Sequence, residues 1–235
     1  TGFDAIGHAF STVAIGGFST HDASMGYFNS SVIEMIAVVF MLLSGINFAL
    51  HFLVVRRRSL RVYLADSEFR GYITVLGSVF VVVSIALYAM GVYNSWSESF
   101  TRGLFQAVSI GTTTGFTTAP FYEWTGFLPV MLIFVAFIGG CAGSTAGGMK
   151  VIRVILLYKQ SIREVRRLIH PHAVFPVKVG GQRTSDTVIS AVWGFFFLYI
   201  ASFAVMTVLL TATGLDAETA YSAVGACITN LGPAL

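Results

Sequence analysis

The 235 residues are 55% apolar and 11% charged with 24 glycines, too little charge to clothe a soluble domain of this size, so the composition points to a membrane protein. The +3 net charge at pH 7 does not make a nucleic-acid patch, because thirteen of the fourteen Lys and Arg fall in two stretches, Arg56 to Arg70 and Lys150 to Arg183, with Arg102 alone outside them. By the positive-inside rule both stretches face the cytoplasm.

Residues 4 to 20 read as a short half-helix opening at Asp4, followed by the loop Ala14-Ile15-Gly16-Gly17-Phe18-Ser19-Thr20. Ser31 to Val55 is apolar and, at ~1.5 Å per helical residue, long enough to cross a ~30 Å hydrocarbon core. Its middle carries Ser44-Gly45-Ile46-Asn47 and then His51, read either as a polar kink satisfied by a neighbouring helix or as lining of an inner vestibule. Arg56 to Arg70 reads as a cytoplasmic linker with Asp66 and Glu68 as local partners. Tyr72 to about Val92 is the next span, emerging at the interfacial belt Tyr93 to Trp96. A second half-helix, Glu98 to Gly111, then dips back into the membrane and ends at Thr112-Thr113-Thr114-Gly115-Phe116-Thr117-Thr118.

The third crossing is interrupted. Phe127 to Ile138 is apolar but too short to span, and Val151 to Tyr158 resumes the pattern. Between them lie Gly139, Gly140, Gly143, Ser144, Thr145, Gly147 and Gly148. Small residues at this density serve tight helix packing in some membrane proteins. Two Gly pairs flanking Ser144 and Thr145 argue instead for a broken helix, since each Gly in a helix interior costs ~1 kcal/mol against Ala. A flexible insert halfway across is where a gate would be useful. A phosphate loop is excluded, because Gly148 is followed by Met149 and Lys150 rather than by Lys and a hydroxyl residue.

Lys159 to Arg183 reads as a basic cytoplasmic loop broken by Pro171, Pro176 and Gly180-Gly181, suited to lipid headgroups or to a soluble partner, with His170 and His172 solvated. Thr187 to Thr211 is the last full span, and Thr213 to Asp216 turns into a third half-helix that ends at Thr229-Asn230-Leu231-Gly232-Pro233-Ala234. Cys141 and Cys227 are expected to be free, buried thiols. A chain that begins on Thr1 at a half-helix and ends on Leu235 inside a loop reads as an internal piece of a longer protein.

The three loops superpose on Gly17, Gly115 and Gly232. Two crossings separate the first loop from the second, so both lie on the outer face and the repeats are parallel; the alternative is a secondary solute carrier of inverted repeats, whose Gly/Thr loops would pack helices or bind substrate. Non-helical backbone survives at membrane depth only where protein buries it or it lines a water-filled path. A half-helix entering from outside aims the negative end of its dipole at the bilayer centre. Carbonyls beyond it can replace the water around a monovalent cation. A catalytic reading lacks its parts, since Glu34, Glu123 and Asp216 all lie near the outer boundary and no carboxylate pair or Ser/His pair shares a depth.

Ile15-Gly16-Gly17-Phe18-Ser19-Thr20, Thr112 to Thr118, Gly139 to Met149 and Ile228 to Pro233 together give the chain its family likeness: it resembles the membrane subunit of the Trk/Ktr/HKT potassium transporter superfamily, most of all the bacterial TrkH type. The resemblance implies an all-α membrane protein of parallel membrane–pore-loop–membrane repeats, with re-entrant pore helices around a pseudo-fourfold ion path. It implies repeat two in residues 1–66, repeat three in 67–183 and repeat four in 184–235. It also implies a potassium filter made by the backbone carbonyls of Ile15, Gly16 and Gly17, of Thr113, Thr114 and Gly115, and of Asn230, Leu231 and Gly232, and a gate at Gly139 to Gly148. Its further implications are a homodimer in the bacterial cytoplasmic membrane, no organic cofactor, and a cytoplasmic nucleotide-binding regulatory ring of the TrkA type docked on the basic loops. The loops depart from the Thr-Val-Gly-Tyr-Gly of tetrameric potassium channels, sharing one Gly among three different sequences, so sodium is expected to be rejected less sharply.

Overall fold

A computed structural model describes residues 1–235. The chain folds as ten α-helices and one two-stranded hairpin. The first re-entrant helix, α1 (Gly2–Val13), begins in a capping box in which the Thr1 hydroxyl accepts the Asp4 amide. A 3₁₀ turn at Ser24–Phe28 leads to α2 (Ser31–Ser44) and α3 (Phe48–Arg57). After α4 (Arg61–Ala65), α5 (Ser67–Ala89) crosses back, capped by Asp66, whose carboxylate accepts the Phe69 amide at 2.7 Å.

The second re-entrant helix is α6 (Trp96–Gly111), followed by a 3₁₀ turn at Phe121–Glu123 and by α7 (Leu128–Ile138). The Gly-rich stretch is non-helical, and α8 (Val151–Ile169) resumes after it. A hairpin of β1 (Lys178–Val179) and β2 (Gln182–Arg183) turns on Gly180-Gly181 and precedes α9 (Asp186–Ala212). The third re-entrant helix is α10 (Ala217–Thr229), capped by Asp216, whose carboxylate is held below the ordinary carboxylate range by the Thr219 amide it accepts at 2.9 Å.

Helices α5 and α9 are each long and apolar enough to cross a bilayer. The Ser31 to Val55 span is not one straight helix, because α2 and α3 meet at a bend of 93°. Ser44 to Asn47 is therefore a kink, but not one satisfied by a neighbouring helix. The neighbour that satisfies it is the Gly-rich stretch: the Cys141 amide donates to Gly45 O at 2.9 Å and the Phe48 amide to Gly143 O at 3.0 Å. His51 of α3 ties the helices on either side of it together, bonding Tyr63 Oη of α4 at 2.6 Å and Leu43 O of α2 at 2.9 Å.

The two basic stretches differ from the sequence reading in one place each. The basic stretch is not a loop from Lys159 onward, since α8 continues to Ile169 with Arg163 paired to Asp186 at 2.7 Å. Glu68 is not a local partner within the arginine linker; its carboxylate reaches the Gly-rich stretch. The main core joins α5, α6 and α7 through Val83, Leu87, Ala107, Ile110, Leu128, Leu132 and Ile133, and extends to Ala226 and Leu231 of the third re-entrant unit. That core sets the second and third loops against one another.

Candidate functional site

The three loops share one backbone conformation. Ile15, Thr113 and Asn230 take left-handed φ values of 52°, 65° and 57°, and two residues later Gly17, Gly115 and Gly232 take 68°, 86° and 100°. The hydrogen bonds that end the helices repeat in the same register. The Ile15, Thr113 and Asn230 amides donate three residues back, to Thr12, Ile110 and Cys227, and the Gly16, Thr114 and Leu231 amides donate five back, to Ser11, Ser109 and Ala226. A left-handed conformation at the β-branched Ile15 and Thr113 is strained. Strain of this kind, ~1–3 kcal/mol per residue, persists only where the surroundings over-determine it.

The loops are also in contact. A Cβ on Gly17 would run into the Thr114 carbonyl oxygen, and a Cβ on Gly115 into that of Leu231. Glycine is required at both places by space as well as by φ. A cavity of about 790 Å³ is lined by all three loops, including Ile15, Gly16 and Gly17, Gly115 and Thr117, and Asn230, Leu231 and Gly232. Thr113 and Thr114 are fully buried behind it. Among the nine expected filter residues, no carbonyl oxygen accepts a hydrogen bond from the protein.

The Gly-rich stretch lies against the C-terminal ends of all three re-entrant helices. Thr145 Oγ1 donates to Val13 O at 2.9 Å, the Gly147 amide donates to Thr113 Oγ1 at 2.6 Å, and the Gly148 amide donates to Thr229 O at 3.1 Å. Its inner geometry needs Gly139 and Gly148, which pack so closely that a Cβ on either would meet the other's backbone. The Gly140 carbonyl accepts the Val151 amide at 3.0 Å, which joins the two ends of the stretch, and Ser144 Oγ donates to Cys141 O at 2.6 Å within it. Lys150 donates from Nζ to the Ala146 carbonyl within the same stretch.

This arrangement brings every sequence-predicted filter and gate residue into one region. The family described as TrkH, cation transport protein, matches residues 1–235. The chain belongs to that family. Within it, the TrkH of Vibrio parahaemolyticus, a Trk system potassium uptake protein, is 53% identical over 100% of this chain and 49% of its own length. The TrkH of Escherichia coli is 50% identical over 99% of this chain and 48% of its own. The crystal structure of the potassium transporter TrkH from Vibrio parahaemolyticus aligns with a TM-score of 0.96, covering 100% of this chain and 51% of that one. The chain thus spans about half the length of the TrkH relatives it matches.

Several residues around the TrkH-type loops escaped the sequence reading. Glu68 Oε1 accepts the Ala142 amide at 2.7 Å and the Ile152 amide at 3.1 Å, holding both ends of the Gly-rich stretch. Nothing local in the sequence signals those partners, which lie 74 and 84 residues away. Cys141 is buried as expected, but Cys227 is exposed and lines the shared cavity, because its position on α10 turns toward the loops rather than into the core.

Proposed function

We propose that this chain forms part of a path for potassium uptake across the bacterial cytoplasmic membrane. The filter would be the carbonyls of Ile15 to Gly17, Thr113 to Gly115 and Asn230 to Gly232, and the gate Gly139 to Gly148. One observation carries the reading: nine carbonyls in three loops, the second in contact with both the first and the third, accept nothing from the protein. At membrane depth, backbone carbonyls go without protein partners only where they line a water-filled path. A cation that sheds its water supplies the missing partner. The choice of potassium rests on the relatives, which are named potassium uptake proteins.

The repeat boundaries at 1–66, 67–183 and 184–235 follow the three re-entrant units, each preceded or followed by a crossing helix. The basic surface of α8 and the hairpin, with Lys159, Arg166, Lys178 and Arg183, suits anionic lipid and a nucleotide-binding regulatory ring of the TrkA type. A homodimer completes the proposed assembly.

The test is rubidium uptake by the full-length protein carrying Gly115→Ser, in a host deficient in potassium uptake. A side chain at Gly115 meets the Leu231 carbonyl, so ion preference is expected to change. Wild-type uptake with wild-type preference for potassium over sodium would overturn the filter.

A further inference from the structure

Three side chains on one stripe of α6, at positions i, i+4 and i+7, tie the outgoing limb of the second loop to its own re-entrant helix. Arg102 Nη1 donates to Thr118 O at 3.1 Å, Gln106 Nε2 to Ala119 O at 3.1 Å, and Ser109 Oγ to Phe116 O at 2.7 Å. The one carbonyl they skip, Thr117 O, accepts the Gly26 amide at 3.0 Å, and the Thr117 amide donates back to Ser24 Oγ at 3.2 Å. Every carbonyl from Phe116 to Ala119 is therefore engaged, immediately after three that are not.

The other two loops are held differently. Superposed on the shared register, Asp4, His8 and Ser11 of α1 occupy the positions of Arg102, Gln106 and Ser109. They reach side chains of the loop rather than its carbonyls: His8 Nε2 bonds Ser19 Oγ at 2.9 Å, Asp4 Oδ1 accepts from Thr20 Oγ1 at 2.7 Å, and Ser11 Oγ has no partner. On α10 the same positions are Thr219, Ala223 and Ala226, two of which have no polar side chain, and the limb is tied from another position, Ser222 Oγ donating to Leu235 O at 3.2 Å.

Arg102 would place a positive charge beside a cation path, but its guanidinium is matched by Glu34 of α2, Nη1 to Oε1 at 3.0 Å. The Glu34 side chain is 3% exposed, so the pair is built into the wall rather than solvated. Gln106 and Ser109 are fully buried.

Resting on the filter reading above, we propose that Arg102, Gln106 and Ser109, with Glu34 behind them, are positioning residues for ion selectivity. They make the second loop a stiff wall of the path, pinned through its own carbonyls. On the cavity-size account of selectivity, sodium is rejected by oxygens that do not follow the smaller ion inward. A limb pinned at four consecutive carbonyls fixes the direction of Thr113, Thr114 and Gly115, whose own carbonyls carry no such bond.

The experiment measures rubidium uptake by the full-length protein and its inhibition by sodium, for Gln106→Leu, Ser109→Ala, Ser109→Thr and Glu34→Gln at matched membrane insertion. Sodium inhibition is expected to strengthen by about tenfold in Gln106→Leu and Ser109→Ala, and Ser109→Thr, which keeps a hydroxyl, is expected to restore the preference. Should Gln106→Leu fail to insert, the Ser109 pair decides the question. An unchanged sodium-to-rubidium ratio in Ser109→Ala and every inserted variant overturns the proposal. If Gly115→Ser still alters preference in that case, only the strap is refuted; if Gly115→Ser is also silent, the filter itself is.

Discussion

Thr113 and Gly147 are joined by a 2.6 Å hydrogen bond, the hydroxyl of the loop residue accepting the amide of the Gly-rich stretch. The expected filter and the expected gate are therefore in direct contact. Thr113→Val keeps the shape and β-branching at this left-handed position but leaves the Gly147 amide without its acceptor. Losing ~1–2 kcal/mol of support raises the displaced fraction of the stretch roughly 5–30-fold. Basal rubidium flux through the full-length protein is expected to rise accordingly. Wild-type flux in Thr113→Val would mean that this bond does not hold the stretch in place.

Two glycines of the first re-entrant unit should respond oppositely to alanine. At Gly7, inside α1, a Cβ meets only the Thr20 methyl at 3.7 Å, an ordinary contact. Gly7→Ala should be tolerated and should stabilise the helix by up to ~1 kcal/mol. Gly17→Ala meets the Thr114 carbonyl and must also hold a φ of 68°. Uptake is expected to survive the first change and to collapse with the second. Comparable activity in both variants would contradict the close approach of the first two loops.

What was readable in the chain was what local sequence controls. Gly17, Gly115 and Gly232 mark the three loops because a turn of this kind forces its own residue choice, and Asp4 and Asp216 mark helix starts for the same reason. The bend between α2 and α3 was readable only as a polar interruption, because the groups that fix its angle are Cys141 and Gly143, about a hundred residues on. The helical run of α8 past Lys159 was hidden by its charge, although Ile162, Val165 and Ile169 recur at helical spacing and offered a signal. The strap on the second loop left a fainter trace: Arg102 stood alone outside the basic stretches, and its partner Glu34 lies 68 residues away.

Glu68 holds the two ends of the Gly-rich stretch with one oxygen. Glu68→Ala leaves the Ala142 and Ile152 amides unpaired in a mostly buried site, each at a cost of ~1–3 kcal/mol. Glu68→Gln keeps an acceptor oxygen and loses only the charge facing the start of α8, where a helix dipole favours an anion by ~0.3–1 kcal/mol. Basal flux is expected to increase strongly in the alanine variant and slightly in the glutamine variant. Glutamine behaving as badly as alanine would show that the charge, not the paired amides, secures the stretch.

The bend at Ser44 to Asn47 is packed against α5 by a contact that admits no extra carbon. Tyr72 is fully buried and its hydroxyl donates to Leu42 O at 3.1 Å, while the same ring and hydroxyl fill the space where a Cβ on Gly45 would sit. Gly45→Ala should force Tyr72 aside and lower the thermal transition of the purified protein. Tyr72→Phe alone should cost about 1 kcal/mol for the lost hydrogen bond. The double variant should be more stable than the sum of the two losses, with a coupling of ~0.5–3 kcal/mol, because removing the hydroxyl relieves the worst of the collision. The ring carbon that bore it would still lie 2.9 Å from the new methyl, so recovery should be partial. Additive losses would place the Gly45 requirement elsewhere, in the backbone bond its carbonyl accepts from Cys141.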